Sequence, residues 1–193
     1  EYRGLFNFKG HFVADKYMNM AIQKQAYFDI LGRVIREQAM PIYELDKGFK
    51  IVIMTGKIDN CELVEAYIMK TFNIPQAHIG QFHSNMDKSK KANVLDKPFI
   101  VSISDSIGRG LDIAKIKLTI DMEVYAGGSI FKQATGRNGR VGGVEGLYIK
   151  VVDKSVKPVI LYFNRLRKYF DEEFKAVSFI DMPKTSGKDI RES

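Results

Sequence analysis

"KIVIMTGKIDN", residues 50–60, decides how this 193-residue chain folds. From Ile51 to Met54 it runs without a polar residue and is rich in β-branched side chains, the composition of a strand covered on both faces. "GKIDN" follows as a turn, and Asp59 with Glu62 three residues on predicts a capping box for a helix through Phe72. Leu63, Tyr67 and Ile68 are expected to share one face of that helix. A buried strand running into a helix is one unit of a parallel α/β sheet.

The unit repeats on either side. Upstream, Asp15 to Gln38 has a helical pattern, with Ile22, Ala26, Leu31 and Ile35 recurring near helical spacing. Pro41 is expected to close it, because a proline ring disfavours helix in the residue before it. Downstream, "AHIGQF" (77–82), "PFIVSIS" (98–104), "KLTIDM" (117–122) and "GLYIKVV" (146–152) read as strands, and "SNMDKSKKANVLDK" (84–97) reads as a polar connection. Within it, "KSKK" (88–91) reads as a solvated charge run. Ser129 can cap a short helix through Ala134. Pro158 suits the first turn of a long helix with Ile160, Phe163, Leu166 and Phe170 facing inward. "AVSFIDM" (176–182) ends the pattern. The expected fold is α/β: a mostly parallel central sheet flanked by helices on both faces.

Composition narrows the function classes. Hydrophobic residues make up 45% and charged residues 27%, the balance of a globular domain. Thirty basic against 23 acidic residues give a formal charge of +7, which favours polyanionic partners: nucleic acid, nucleotides or anionic membrane. One cysteine, Cys61, excludes an internal disulfide and a cysteine-based metal site. His11, His78 and His83 show no ligand spacing, so no metal site is expected. No apolar run approaches the length of a membrane span and no signal peptide is visible, so the expected setting is intracellular. The chain opens on Glu1 and is expected to be a piece of a longer protein.

In parallel sheets, binding sites collect in the loops after the carboxyl ends of strands. That marks "MTGK" after residues 50–54, "SDSIGRGLD" after the 98–104 run, and the segment after 117–122 that leads to "QATGRNGR" (133–140). In the second of these, Ser104, Asp105 and Ser106 can cap a turn and offer hydroxyls and amides to a phosphate. Gly108 and Gly110 allow close backbone approach, and Asp112 can accept from sugar hydroxyls. In the third, Arg137 and Arg140 are three residues apart and can face one ligand, their planar forks matching phosphate oxygens. A disordered arginine–glycine RNA-binding segment would instead come in repeats within a polar tract. Here a single copy sits between a capped helix and a strand.

These stretches resemble superfamily-two helicases. "SISDSIGRGLDI" (102–113) is similar to their motif V, and "QATGRNGR" to motif VI, usually written Q/H-R-x-G-R-x-G-R. Between the two lie a hydrophobic strand, an acidic turn and a helix, as in the family. "KIVIMTGK" (50–57) resembles motif IV, and "QFHS" (81–84) stands where the family often carries a His-Gly pair. The resemblance covers roughly residues 50 to 153. It implies the C-terminal RecA-like lobe of an ATP-dependent DNA or RNA helicase of the DExH/DEAD type.

Carried over position by position, the resemblance implies a catalytic set of Arg140, Arg137 and Gln133. Arg140 would be the principal arginine finger on the γ-phosphate, Arg137 would assist at the phosphates or link the lobes, and Gln133 would couple the nucleotide and nucleic-acid sites. Gly110 would approach the phosphates and Asp112 the ribose. Ser104, with Asp105 beside it, would hold a backbone phosphate of the nucleic-acid strand. Thr55, Gly56, Lys57, His83 and Ser84 would line the same strand. Ala134 replaces a common motif VI arginine, which removes one interlobe or phosphate contact. The short connection from His83 to Phe99 suggests a reduced helix. Both departures resemble the branch-processing helicases of phages and recombination systems, which makes DNA the expected polymer over RNA and extends the setting to a viral protein in its host cell.

Residues 1–45 are then expected to be a linker and helix leading from a first lobe, 46–183 the RecA-like lobe, and 184–193 a flexible tail. The chain has no G-x-x-x-x-G-K-[ST] phosphate loop and no DExx strand end; "TSGKD" (185–189) lacks the upstream glycine. Those parts hold ATP and Mg2+ and place the attacking water. The implied cofactors, ATP and Mg2+, would therefore be held mainly by an N-terminal RecA-like partner lobe, and the chain alone is expected to be inactive as an ATPase. Two rival classes remain to be weighed. A non-catalytic RecA-like module would bind nucleic acid or protein without a motor. A dinucleotide-binding oxidoreductase would need a G-x-G-x-x-G after the first strand, which is absent.

Overall fold

The "KIVIM" run is β1 (Lys50–Met54), and it lies at the centre of the sheet. A computed structural model describes residues 3–108, 113, 115–124, 145–174 and 176–180. Within them β2 (Ile79–Phe82), β3 (Phe99–Ser102), β4 (Ile116–Asp121) and β5 (Leu147–Lys150) join β1 in one sheet of order β2-β3-β1-β4-β5. All four pairings are parallel, as the apolar runs predict.

A short 3₁₀ turn at Arg3–Leu5 precedes α1 (Ala14–Ala21). Then come α2 (Gln25–Val34), a π-helical turn at Ile35–Ala39, and α3 (Met40–Leu45). Pro41 does not close this helical stretch as expected. The Met40 amide donates to the Ile35 carbonyl, a five-residue span that widens the helix just before the proline. Pro41 then occupies the first turn of α3, where a missing N–H costs little.

Next come α4 (Ile58–Phe72), α5 (Lys88–Leu95), α6 (Ser104–Gly108) and α7 (Lys157–Glu173). The predicted capping box is corrected: the N-cap is Lys57, two residues before the expected cap, and it makes no side-chain capping bond. Asp59 falls inside the first turn, where its charge favours the helix dipole. The face is corrected too. Cys61, Val64 and Ile68 are buried, whereas Leu63 is exposed. Asn73 ends α4 in the left-handed region at φ 52°. The polar connection 84–97 contains α5, the reduced helix implied by its length; only Val94 of α5 is buried, so a periodic apolar signal is missing. Lys88, Ser89 and Lys90 are exposed on α5, and Lys91 partly so.

Alternation along the strands builds two cores. Ile51, Ile53, Phe99, Val101, Leu118 and Ile120 point to one face and meet Tyr17, Leu31, Ile35, Val64 and Ile68. Val52, Met54, Phe82 and Ile100 point to the other and meet Val94 and Ile113. Each such side chain removed from water contributes about 1.5–3 kcal/mol. In α7, Leu166 and Phe170 are buried in a smaller cluster with Tyr148, and Phe163 packs against it half-buried; Ile160 is half-buried as well. Residues 176–180 form no regular element. No helix among the described residues is long and apolar enough to cross a membrane. The expected Ser129–Ala134 helix and the 184–193 tail lie outside the described residues.

Candidate functional site

The strand registers place one row of residues level across the sheet: Phe82, Ser102, Met54, Asp121 and Lys150. Parallel neighbours are about 4.8 Å apart, so loops leaving this row emerge side by side. Two residues past the row stand Ser84, Ser104, Gly56 and Glu123, on the loops after β2, β3, β1 and β4. Three of the four were expected on sequence grounds to touch a nucleic-acid strand. Glu123 was not.

The expected side chains differ in what they can present. Thr55 is fully buried; its hydroxyl donates to the Lys57 carbonyl at 2.9 Å and lies 3.3 Å from the Cys61 sulfur. Its amide donates to the Ser102 carbonyl at 2.9 Å. Thr55 therefore braces the turn, and Lys57, partly exposed, carries its charge. Gly56 takes φ +83°, a conformation disfavoured for a side chain, and a Cβ there would sit 3.1 Å from Met18 Cγ and 3.5 Å from Glu123 Cγ. Ser84 is exposed, and its carbonyl accepts from Lys91 Nζ at 3.1 Å. His83 is half-buried, and burial, with Lys91 nearby, pushes its imidazole below its usual value, so it is neutral at pH 7. Asp105 is exposed beside Ser104.

The acidic turn after β4 holds a cluster of buried charged groups. Asp121 is fully buried and pairs with Lys150 Nζ at 2.9 Å, and the Tyr148 hydroxyl also donates to it. Asp121 Oδ1 accepts from the Glu123 amide at 2.9 Å, and Lys150 Nζ donates to the Glu123 carbonyl. The Glu123 carboxylate turns to α6, accepting the Ser104 amide at 2.7 Å and the Ser104 hydroxyl at 2.5 Å. Burial, then the neighbouring Asp121 charge, push Glu123 up to about 7, against the opposing pull of the Ser104 bonds and Lys150. "IDME" (120–123) carried a signal for this: two carboxylates closing an apolar strand at its ligand-bearing end.

Buried polar atoms without a hydrogen-bond partner in the chain gather along the same edge. Asn60 Nδ2, His83 Nδ1 and Ser106 Oγ follow β1, β2 and β3 within six residues; Tyr27 Oη is the fourth such atom among the described residues. Buried polar groups are normally satisfied, so this edge retains unmet donors and acceptors. Gly110, Asp112, Gln133, Arg137 and Arg140 lie outside the described residues, so the nucleotide-facing half of the expected site has no geometry here.

A parallel sheet of this order, with loops of these types leaving one edge, is a RecA-like α/β lobe. Residues 27–142, more than half of the chain, match the helicase conserved C-terminal domain, and the chain belongs to that family. ATP-dependent RNA helicase DBP8 of Debaryomyces hansenii is 24% identical over 125 residues, which span 62% of this chain and 27% of that protein. The chain thus corresponds to about a quarter of that relative's length. Among solved structures, the C-terminal domain of the DEAD-box protein Dbp5 superposes with a TM-score of 0.55 at 16% identity, covering 75% of this chain and 78% of that one. S. cerevisiae Dbp5 bound to RNA and ADP BeF3 gives a TM-score of 0.56 at 15% identity, covering 74% of this chain and 36% of that one. These structural likenesses show the shared fold.

Proposed function

We propose that this chain is the second motor lobe of an ATP-dependent nucleic-acid helicase or translocase, and that the loops after β1, β2 and β3 track the phosphate backbone of one strand. The register is the supporting observation. Ser84, Ser104 and Gly56, from three strands well separated in sequence, come level at one edge, with Lys57 and the unmet polar atoms beside them. Backbone contacts of this kind carry little base information and weaken with salt. The relatives are an RNA helicase and a protein bound to RNA, so the expectation of DNA over RNA gains no support from them. The strand is proposed as either polymer.

On this proposal a partner RecA-like lobe holds the triphosphate and Mg2+. This chain supplies Gly110 toward the phosphates, Asp112 toward the ribose, and Arg137 and Arg140 to stabilise charge in the transition state, with Gln133 coupling the two sites. In the parent protein, Arg140→Ala should cut ATP hydrolysis by about 10³-fold while ATP binding is retained; unchanged turnover would overturn the assignment. For the chain alone, fluorescence anisotropy with single-stranded DNA and RNA should show binding that weakens with salt. Lys57→Ala should reduce the logarithmic salt slope by about one. Equal slopes for the two proteins would remove Lys57 from the strand path.

A further inference from the structure

Both donors that a phosphate would use at Ser104 are engaged inside the chain. Glu123 Oε1 accepts the Ser104 amide and Oε2 the Ser104 hydroxyl, and Glu123 keeps only 4% of its surface. An ionised carboxylate only accepts, and a serine hydroxyl has a single proton to give. While Glu123 is charged, that proton points inward and a phosphodiester oxygen at Ser104 would meet lone pairs.

We propose that Glu123 is the positioning residue of the strand-contact site, fixing the Ser104 backbone through one carboxyl oxygen and freeing the Ser104 hydroxyl for a strand phosphate by taking up one proton. This rests on the reading of Ser104 as a strand contact. The exchange balances simply. A solvent proton adds to Oε2, which then donates to Ser104 Oγ. The Ser104 proton rotates outward to the phosphate oxygen, and the phosphodiester stays ionised throughout. Oε1 continues to accept the Ser104 amide, so the start of α6 keeps its place.

The surroundings favour this proton sitting on Glu123. Asp121 of β4 adjoins it with a second negative charge, and Lys150 of β5 binds Asp121 and the Glu123 carbonyl. Tyr27 of α2 and Cys61 of α4 also face it, and burial raises both, leaving them neutral around pH 7. Glu123 itself is raised to about 7 and changes charge there. A strand phosphate brought beside it adds another negative charge and raises it further. Strand binding and proton uptake are thereby linked, and affinity falls as pH rises through neutrality.

The test follows the Ser104 amide by NMR across pH 5.5–8.5, with and without a single-stranded oligonucleotide lacking terminal phosphates, beside anisotropy at pH 6 and pH 8. The expected result is a midpoint near 7 in the free chain that the strand raises by about one unit, equivalent to about fivefold weaker binding at pH 8 than at pH 6. Glu123→Gln imitates the protonated acid, accepting the amide and donating to Ser104 Oγ. It should bind at pH 8 as tightly as the wild type does at pH 6. His83→Gln controls for the imidazole across the sheet and should keep the pH dependence. Strand binding with an unmoved midpoint would leave Glu123 as a mere brace of α6 and overturn the proposal while the strand reading stands. The wild-type midpoint settles this even where Glu123→Gln fails to fold. Absence of strand binding by every form at low salt would overturn both.

Discussion

Lys150→Met tests whether the acidic turn is organised by the Asp121–Lys150 ion pair. The Lys150 side chain is 6% exposed and its Nζ lies 2.9 Å from Asp121 Oδ2, which has no solvent contact. Methionine keeps most of the lysine stem's volume, so the change removes charge and leaves little cavity. What remains is a buried carboxylate that has lost the Lys150 charge while keeping the Tyr148 hydroxyl and the Glu123 amide. Stripping one partner from a buried pair costs about 3–5 kcal/mol, and the surviving hydrogen bonds place this case near 3. With an m-value of about 2 kcal/mol/M, the urea midpoint should drop by about 1.5 M. Asp121→Asn on the same background removes the carboxylate charge and should recover about 2 kcal/mol of the loss. Urea melts of the two single variants and the double variant measure this directly. A Lys150→Met cost under about 1 kcal/mol, or a double variant weaker than Lys150→Met alone, would refute the assignment of charge organisation to this pair.

Gly56→Ala should cost about 1–2 kcal/mol, since it combines the φ of +83° with a contact at 3.1 Å to Met18. Gly10→Ala has a similar φ of +76° but nothing within 4 Å, and should cost about 1 kcal/mol less in the same urea assay. Glu123 is raised from 4.5 to about 7, so between those values the folded chain binds a proton that the unfolded chain releases. Stability should therefore fall as pH rises across that window, by up to about 3 kcal/mol, and level off above it. Denaturant melts of Glu123→Gln from pH 4.5 to 8 should show a flatter profile; identical profiles would show that Glu123 does not titrate there. Burial pushes the Cys61 thiol up to about 11, so the native chain should react with a thiol reagent at pH 8 only after unfolding. Stoichiometric labelling of the native chain within minutes would contradict that burial.

The centre of the sheet was legible because β1 and β3 are apolar runs without alternation, the pattern of burial on both faces. Helix ends were less so. Pro41 is a sound stop signal in a regular helix, but the wide turn at Ile35–Ala39 supplies a fresh first turn for it. The Asp59–Glu62 spacing is equally sound locally, yet the extended Lys57 backbone after the left-handed Gly56 starts α4 earlier. Helix α5 offered no apolar period because one residue, Val94, anchors it. At the site, Ser84, Ser104 and Gly56 could be named from loop chemistry and family resemblance. That their strand ends are level is a property of register, which local sequence does not encode. Glu123 was missed for a related reason: its partner Ser104 is 19 residues away, and only pairing β1 with both β3 and β4 brings them together.

Loops that all leave from one level of a hydrogen-bonded sheet share a common foundation. Met54 is tied to Ser102 on one side and Asp121 on the other, so the loops carrying Gly56, Ser104 and Glu123 cannot separate without breaking the ladder beneath them. Packed layers of this kind respond to force as bodies rather than by local stretching. On the proposed function, an advance along a bound strand would be a displacement of this whole platform, with step length set by how far it travels and grip set by Ser104 and its neighbours. On that reading gait and grasp would be separable, and a substitution in one could leave the other intact.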